Sequence, residues 1–506
     1  MPQPADNDLE LFARCAAGFE AVLAQELRDL SMHRVRSLKG GVAFFGRVGD
    51  AYRACLWSRV ATRIQLVLTR LDARDAEALY AGSVRFAWEK HVAAGATISV
   101  RAHGVNDQLR NTQFTALKVK DALCDRLREK RGQRPDVDAH DPGFSIDVSV
   151  HRNHATLYLN LSGPSLHRRG YREEAVQTEA PLKETLAAGM LLAADWHRLA
   201  RAGAGFADPM CGSGTLAIEA ALIAADRAPG LTRTRWGFTG WARHEASAWH
   251  DLIEEARKRA DAAHVSILLV AGDLDERAIA IARANAERAG VADLIDFGVA
   301  HAEDLGRRLE AAYGRLPERG LIAVNPPYGH RLQSEGGLLQ TYAALERGIA
   351  AVPERWRMVA ITPDAGIDTA LGRRAERVVP CFNGPIRTAV RLYGLAPVHR
   401  MQLEVISLSG TRRSVAVAEK NSEQFAARLR KVARERAKWA RRAGVASYRV
   451  YDSDLPDYAL SVDVYAGAGP DEGARFVRVA EHPAPASIDA DRADVRFADA
   501  CALIPA

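Results

Sequence analysis

Cysteine is scarce in this 506-residue chain, and its six copies (Cys15, Cys55, Cys124, Cys211, Cys381, Cys501) lie far apart with no Cys-x-x-Cys pair. Neither a zinc site nor a disulfide framework is indicated, so a metal-free protein of a reducing cytoplasm is expected. Long apolar runs are also missing: stretches such as 216–225 are interrupted and far too short to span a bilayer. The first residues carry Asp6, Asp8 and Glu10 without a basic-then-apolar pattern, so no secretory leader is expected. There is no internal repeat and no long low-complexity stretch.

What is present is ordinary globular material, 48% apolar and 26% charged, which excludes wholesale disorder and collagen-like structure. The length exceeds one hydrophobic core and suggests about three compact units. The charge is uneven. Between Thr411 and Arg449 stand 12 basic and 3 acidic residues, an excess of nine on a chain whose whole excess is six. Such a stretch is either a contact for a polyanion or a solvated helix face.

The rhythm of the chain changes twice. Up to about Gly163, short alternating runs (residues 97–100, 144–150 and 155–161) mix with amphipathic helix patterns such as 19–27, which predicts α+β structure. Residues 162–181, rich in charge with Gly and Pro, read as a linker. From Leu182 helices alternate with continuous apolar strands at 267–271, 320–324 and 358–362. This beat predicts a doubly wound α/β parallel sheet covered on both faces. Beyond Glu419 a helix capped by Asn421 or Ser422 carries Phe425, Leu429, Val432 and Trp439 on one face, with Arg and Lys elsewhere, and stops at Gly444. A few strand-like runs and a tail, 481–506, follow.

Three elements carry chemistry. Asp208-Pro-Met210-Cys211-Gly212-Ser213-Gly214-Thr215 follows a short strand and opens a helix, at the sheet edge where such folds bind ligands. Its glycines let backbone approach a ligand closely. No Lys follows to meet a triphosphate, so it is not a phosphate loop. Asp273 ends the next strand, where a carboxylate can accept from two ribose hydroxyls; Asp275 reads only as a helix cap.

The third element is Asn325-Pro326-Pro327-Tyr328-Gly329, directly after a strand. Two prolines give stiff extended backbone without N–H donors. The Asn325 side-chain oxygen and the Pro326 carbonyl can then both accept from one amino group, while Tyr328 offers a face for a planar ring. Two acceptors reduce the delocalisation of an exocyclic amine and aim its nitrogen at an electrophile. A sulfonium methyl needs neither metal nor strong base.

In this order the elements resemble the S-adenosyl-L-methionine-dependent amino methyltransferases. The insertion at 227–241, with residues 12–20, 106–113, 167–172 and 181–185, narrows the resemblance to the bifunctional 23S ribosomal RNA guanine methyltransferase K/L family. The resemblance implies a ferredoxin-like part (1–45), a THUMP RNA-binding domain (46–164), a linker (165–181) and a Rossmann-like methyltransferase domain (182–410). Residues 411–506 then form a basic helix and a remnant of the K-half entry region. It also implies N2-methylation of a guanine in 23S ribosomal RNA or a large-subunit assembly intermediate, with S-adenosyl-L-methionine as cofactor.

Asp208, Met210, Cys211, Gly212, Ser213, Gly214, Thr215, Asp273 and Asp304 would hold that cofactor, and Asn325, Pro326, Pro327 and Tyr328 would hold the amine. Where the family has an acid for the adenine amino group this chain has His301, with Glu303 or Asp304 as substitutes. No second cofactor loop follows Pro456, so the K half's N7 activity is not expected. Rival readings are an adenine-N6 methyltransferase, a tRNA guanine-N2 methyltransferase, and a non-catalytic RNA-binding or assembly protein.

Overall fold

The computed structural model describes residues 8–172, 182–263, 265, 267–327, 335–363, 366–395, 401–467, 473–483 and 490–505. The described residues form two compact units where composition suggested three. One takes in everything up to 327 with 347–363 and 377–392; the other takes in 335–346, 366–376 and the residues from 393 onward. The count is lower because one continuous core runs through the first unit, from Leu9 to Val390.

The first unit opens with a seven-stranded sheet. Its strands are β1 (Leu9–Arg14), β2 (His33–Leu38), β3 (Gly41–Gly46), β4 (Arg63–Asp72), β5 (Ile98–His103), β6 (Phe144–His151) and β7 (His154–Asn160), in the order β2-β3-β1-β4-β7-β6-β5. All pairs are antiparallel except β5 with β6. Helices α1 (Glu20–Asp29), α2 (Val48–Trp57), α3 (Ala76–Arg85) and α4 (Thr112–Arg131) interleave with the strands, giving the expected α+β character.

The second sheet is α/β. Strands β8 (Gly205–Asp208), β9 (Leu269–Asp273), β10 (Ile295–Val299), β11 (Gly320–Val324) and β12 (Trp356–Thr362) run parallel in the order β10-β9-β8-β11-β12. Helices α5 (Glu184–Ala193), α6 (Trp196–Arg201), α7 (Thr215–Ala224), α8 (Ala246–Ala262), α9 (Glu276–Ala289) and α10 (Leu305–Tyr313) accompany them. Every residue of β8 and β11 is buried, as their unbroken apolar runs require of a covered sheet. Not foreseen was the antiparallel hairpin β13 (Arg377–Asn383) and β14 (Ile386–Gly394), which closes the edge beside β12.

The supposed linker is not one where it is described. Leu166, Arg169 and Tyr171 are buried. The Arg169 guanidinium donates to the Arg59 carbonyl (2.6 Å) and the Leu166 carbonyl (2.7 Å) and faces Glu219 of α7 at 3.4 Å. Glu219 also accepts from the Tyr171 hydroxyl at 3.2 Å. A charged, Gly-containing segment reads as solvated, yet here a buried carboxylate on α7 supplies the missing partner.

The insertion at 227–241 is a strap between the two sheets. Gly230, Gly237 and Gly240 donate backbone hydrogen bonds to the carbonyls of Leu56, Leu161 and Gly143, and Ala93 donates to Gly240. A Cβ on Gly240 would stand 2.6 Å from Gly143, so this crossing requires glycine. Tyr52 packs against Phe238 of the strap with ring centroids 4.7 Å apart and tilted by 46°, and its hydroxyl meets His244 Nδ1 at 2.6 Å.

The second unit contains residues 335–346 of α11 (Glu335–Ala350) and α12 (Gly366–Ala370). It also holds a hairpin, β15 (Met401–Ile406) with β16 (Arg412–Val417), then α13 (Ser422–Ala443). A three-stranded sheet of β17 (Tyr448–Asp452), β18 (Leu460–Ala466) and β19 (Arg475–Glu481) and a final helix, α14 (Ala490–Leu503), complete it. Helix α13 ends at a left-handed Gly444 as expected, but neither Asn421 nor Ser422 caps it in the local manner. The first helix amides donate back to the Glu419, Lys420 and Asn421 carbonyls, and Asp499 of α14 braces the segment before the helix, accepting from the Ala418 and Glu419 amides (2.7 and 2.9 Å) and the Ser422 hydroxyl (2.5 Å). The buried arc of α13 runs through Phe425, Val432, Ala433 and Ala440, and Trp439 at its edge is 48% exposed. Among the described residues no helix is long and apolar enough to cross a membrane.

The Arg169–Glu219 contact generates a prediction. Arg169→Met leaves Glu219 buried without its cation, which costs about 3–5 kcal/mol. Urea unfolding should show this loss, and the double change Arg169→Met with Glu219→Leu should recover most of it.

Candidate active site

Parallel pairing decides where the chemistry-bearing residues go. Strand β8 lies between β9 and β11, pairing Ala207 with Val270 and Ile322. All three strands point the same way, so their carboxyl ends share one rim, with neighbouring strands about 4.8 Å apart. Asp208 ends β8, Asp273 ends β9, and Asn325 follows β11 by one residue.

The Gly-rich turn after β8 is held from both sides. Asp273 Oδ2 accepts from the Gly212 amide at 2.8 Å and Oδ1 from the Asp275 amide at 3.0 Å. The Cys211 amide donates to the Gly272 carbonyl at 2.8 Å. Asn285 of α9 donates to the Ser213 carbonyl at 3.0 Å. Gly212 and Gly214 take φ of +52° and +82°, and a Cβ on Gly214 would come within 2.9 Å of Ala282. Glycine is therefore required at 214 by sterics as well as by φ. At the start of α7 the Thr215 hydroxyl accepts from Arg172, which also pairs with Glu184 at 3.0 Å. Sequence reasoning missed two of these roles. Asp273 shapes the loop besides facing outward, and Arg172, quoted only as part of a motif, braces it.

Two acceptors at the rim have nothing to accept from. Asp208 Oδ2 and Asn325 Oδ1 are both occluded and lack a hydrogen-bond partner among the described residues. Burial, and secondarily the negative charge of Asp273, pushes the Asp208 carboxyl well above the usual carboxylate range. Burial pushes the Cys211 thiol up as well, with Asp208 and Asp273 adding to it, so Cys211 is a packed side chain and not a nucleophile. Met210 is half-buried beside it. Pro326 is buried and Pro327 partly so; Tyr328 lies outside the described residues.

Asp275 caps α9, accepting from the Arg277 amide at 2.8 Å. His301, Glu303 and Asp304 form a single turn just beyond β10, tied back by the Ala300 amide to the Asp273 carbonyl at 3.0 Å. His301 is exposed; Glu303 pairs with Arg347 at 2.7 Å and Asp304 with Arg307 at 3.0 Å.

The donor set fits a nucleoside-bearing cofactor. A carboxylate offers about four lone-pair sites, and Asp273 uses two on the backbone, leaving two for hydroxyls. Asp208 waits for a donor or a positive charge.

Comparison with known proteins agrees in register along the chain. Residues 10–65 match the model of the RlmL ferredoxin-like domain, 73–160 that of the THUMP domain, and 169–391 that of the RMKL-like methyltransferase domain. The ribosomal RNA large subunit methyltransferase K/L of Pseudomonas paraeruginosa is 39% identical over 503 residues, 98% of this chain and 67% of that protein. The chain belongs to the ribosomal RNA large subunit methyltransferase K/L family. The member from Syntrophotalea carbinolica is 38% identical over 97% of this chain and 66% of its own length. The chain thus spans about two thirds of the family members it matches.

Among solved structures, a chain assigned as a methyltransferase and complexed with SAH aligns with a TM-score of 0.67 at 29% identity. That alignment covers 77% of this chain and 99% of the other. A predicted N6-adenine-specific DNA methylase from Listeria monocytogenes aligns equally well, at 30% identity over 77% of this chain and 97% of its own. The fold is a THUMP-containing α+β region followed by a Rossmann-like methyltransferase sheet.

The raised Asp208 carboxyl sets a pH-dependent expectation for the protein without ligand. A carboxyl raised on folding is favourable when protonated, and that contribution is lost as pH climbs through the raised value. Asp208→Asn should therefore melt about 2–4 °C higher at neutral pH, with the gain shrinking toward acid pH. Thermal unfolding at both pH values checks it.

Proposed function

We propose that this chain transfers a methyl group from S-adenosyl-L-methionine to the exocyclic N2 amine of a guanine in 23S ribosomal RNA. The pair of occluded, unpartnered acceptors at adjoining strand ends carries this reading. One sits in a cofactor-type loop and the other in an Asn-Pro-Pro-Tyr corner. The residues 1–45, 46–164, 165–181, 182–410 and 411–506 are taken as the ferredoxin-like part, THUMP domain, connection, catalytic domain and C-terminal extension.

Bound at the rim, S-adenosyl-L-methionine supplies a sulfonium methyl. Asp273 meets the ribose hydroxyls with the oxygen lone pairs that Gly212 and Asp275 leave free. Asp208 gives negative charge close to the cationic end of the ligand, which lowers its own raised carboxyl toward the ionised form. Met210, Cys211, Ser213, Gly214 and Thr215 are assigned to the loop that approaches the ligand, and Asp304, after β10, to the adenine amino group.

On the substrate side, Asn325 Oδ1 and the Pro326 carbonyl accept from the guanine amine. Pro327 keeps that backbone extended, and Tyr328 is assigned to stack on the base. A base must leave its stack to reach such a corner, which costs a few kcal/mol and favours a loop or an opened helix end. The amine gives up its proton to solvent after transfer, and the sulfonium sulfur keeps the electron pair of the broken S–CH3 bond. The THUMP-containing region grips RNA through phosphate and shape.

The Listeria neighbour keeps adenine N6 in play as a second acceptor amine, because the same two acceptors suit either base. Incubating the protein with large-subunit ribosomal RNA and tritiated cofactor, then digesting the product, should give labelled N2-methylguanosine; labelled N6-methyladenosine sinks the guanine assignment. Asn325→Ala should abolish transfer while calorimetry shows cofactor affinity within a few-fold of the parent. Equal loss of both would show that Asn325 does not hold the amine, and no saturable cofactor binding by the parent would favour a non-catalytic RNA-binding protein.

A further inference from the structure

The second unit carries a surface that the transfer reaction does not use. On α13, Lys431, Arg434, Lys438, Arg441 and Arg442 are all exposed. At 100° per residue they fall within one arc of roughly 100°, opposite the buried arc of Phe425, Val432 and Ala440. From Lys431 to Arg441 the stripe is about 15 Å long. None of the five has an ion-pair partner among the described residues. Arg428, off the stripe, is taken by Asp454 at 2.8 Å.

Helix stability does not explain the stripe. Cations in the last turn complement the helix dipole, which accounts for Arg441 and Arg442 but not for Lys431, Arg434 or Lys438. Lys431 with Arg434, Arg434 with Lys438, and Lys438 with Arg441 or Arg442 are like charges three or four residues apart, and such pairs repel. Glu435, on the edge of the stripe, forms no ion pair with them among the described residues and does not offset this. A polyanion would.

About 60° further round the helix from Arg442, toward the buried arc, lies an aromatic platform. Trp439 is 48% exposed and meets Tyr448 edge-on, ring centroids 6.5 Å apart at 80°. A groove of about 660 Å³ runs between α13 and β17, lined by Val432, Arg436, Trp439, Tyr448, Arg449 and Tyr451. Of its acids, Asp452 pairs with Arg449 at 3.1 Å and Asp454 with Arg428, while Glu435 stands between the groove and the stripe. A row of unpaired cations flanking an exposed indole is the chemistry that tracks a phosphate backbone while stacking an unpaired base.

We propose that the solvent-facing side of α13 binds a single-stranded stretch of RNA, with phosphates along Lys431, Arg434, Lys438 and Arg441 and a base reaching round past Arg442 to Trp439. This rests on the reading that the chain acts on RNA, but it needs neither cofactor nor methyl transfer.

The test uses the full chain with a short unstructured oligoribonucleotide and the same strand annealed to its complement, followed by fluorescence anisotropy over a salt series. Replacing Lys431, Arg434, Lys438 and Arg441 together by Gln should lower the slope of log affinity against log salt by about 3 for the single strand. Trp439→Ala should weaken single-strand binding roughly 5- to 150-fold with little effect on the duplex, and Trp439→Phe should retain most of it. Matching urea midpoints would confirm that each variant folds. An unchanged slope, or equal loss of single strand and duplex in Trp439→Ala, overturns the proposal; the unchanged slope would assign the face to a protein partner. Because the assay contains no cofactor, its failure leaves the reading of Asp208 and Asn325 untouched, and a failed transfer assay leaves this surface untouched.

Discussion

The parallel pairing of β8 with β9 on one side and β11 on the other is the constraint on which the site depends. Each strand brings one polar residue at or just past its carboxyl end, and parallel registry turns three sequence-distant positions into one rim. An antiparallel neighbour would have sent Asn325 to the opposite edge of the sheet. Strand β8 is only four residues long, so its register depends on being paired on both sides and fully buried. The rim is then a consequence of the core, and the glycines at 212 and 214 only let backbone pass close above it.

How much of this was legible follows from the range of the interactions. Apolar runs and strand-end acids are local signals, and from them the parallel sheet, the loop after β8, the cap at Asp275 and the left-handed stop at Gly444 could be read. What could not be read is partnered across long stretches of chain. Asp499 holds the Ser422 hydroxyl at the start of α13 from 77 residues away, Glu219 neutralises Arg169 from 50 residues away, and Asp273 holds Gly212 across 61 residues. A rule based on neighbouring residue types sees a Ser before a helix and assigns the cap to it. It sees charges between domains and assigns them to solvent. Trp439 shows the same limit, since helical periodicity gives the angle of a side chain but not how far the core reaches along the helix.

The strap at 227–241 explains why the front sheet and the methyltransferase sheet share one core when length alone argued for separate units. Its three glycines bring backbone against backbone, and its aromatic side chains fill the space that remains around Tyr52. Residues 165–172 tie the same two parts together from another side through Arg169 and Thr232, whose hydroxyl donates to the Arg169 carbonyl at 2.5 Å. Because Arg169 meets α7 and Arg172 meets Thr215 at the head of that helix, the segment leading out of the RNA-binding region also braces the cofactor-type loop. The coupling is mechanical: a shift of this segment moves the start of α7.

Polar satisfaction is the rule that folded interiors keep most strictly, so its breaches are informative. Most of the unpartnered buried atoms are donor nitrogens of Trp, Arg and His scattered through the chain. Carboxylate and amide oxygens are rarer among them: Asn160, Asp208 and Asn325. Asn160 has its amide group engaged with the Gly163 carbonyl at 2.8 Å and belongs to the front sheet. The other two stand at adjoining strand ends, one of them a carboxyl whose charged form is disfavoured by burial and by the acid across the loop. Nothing in the packing of β8 or β11 calls for either, since an apolar residue would fill the same volume at lower cost. An acid and an amide retained there, at a cost to the unliganded fold, are explained by what they accept from when a cation and an amine arrive.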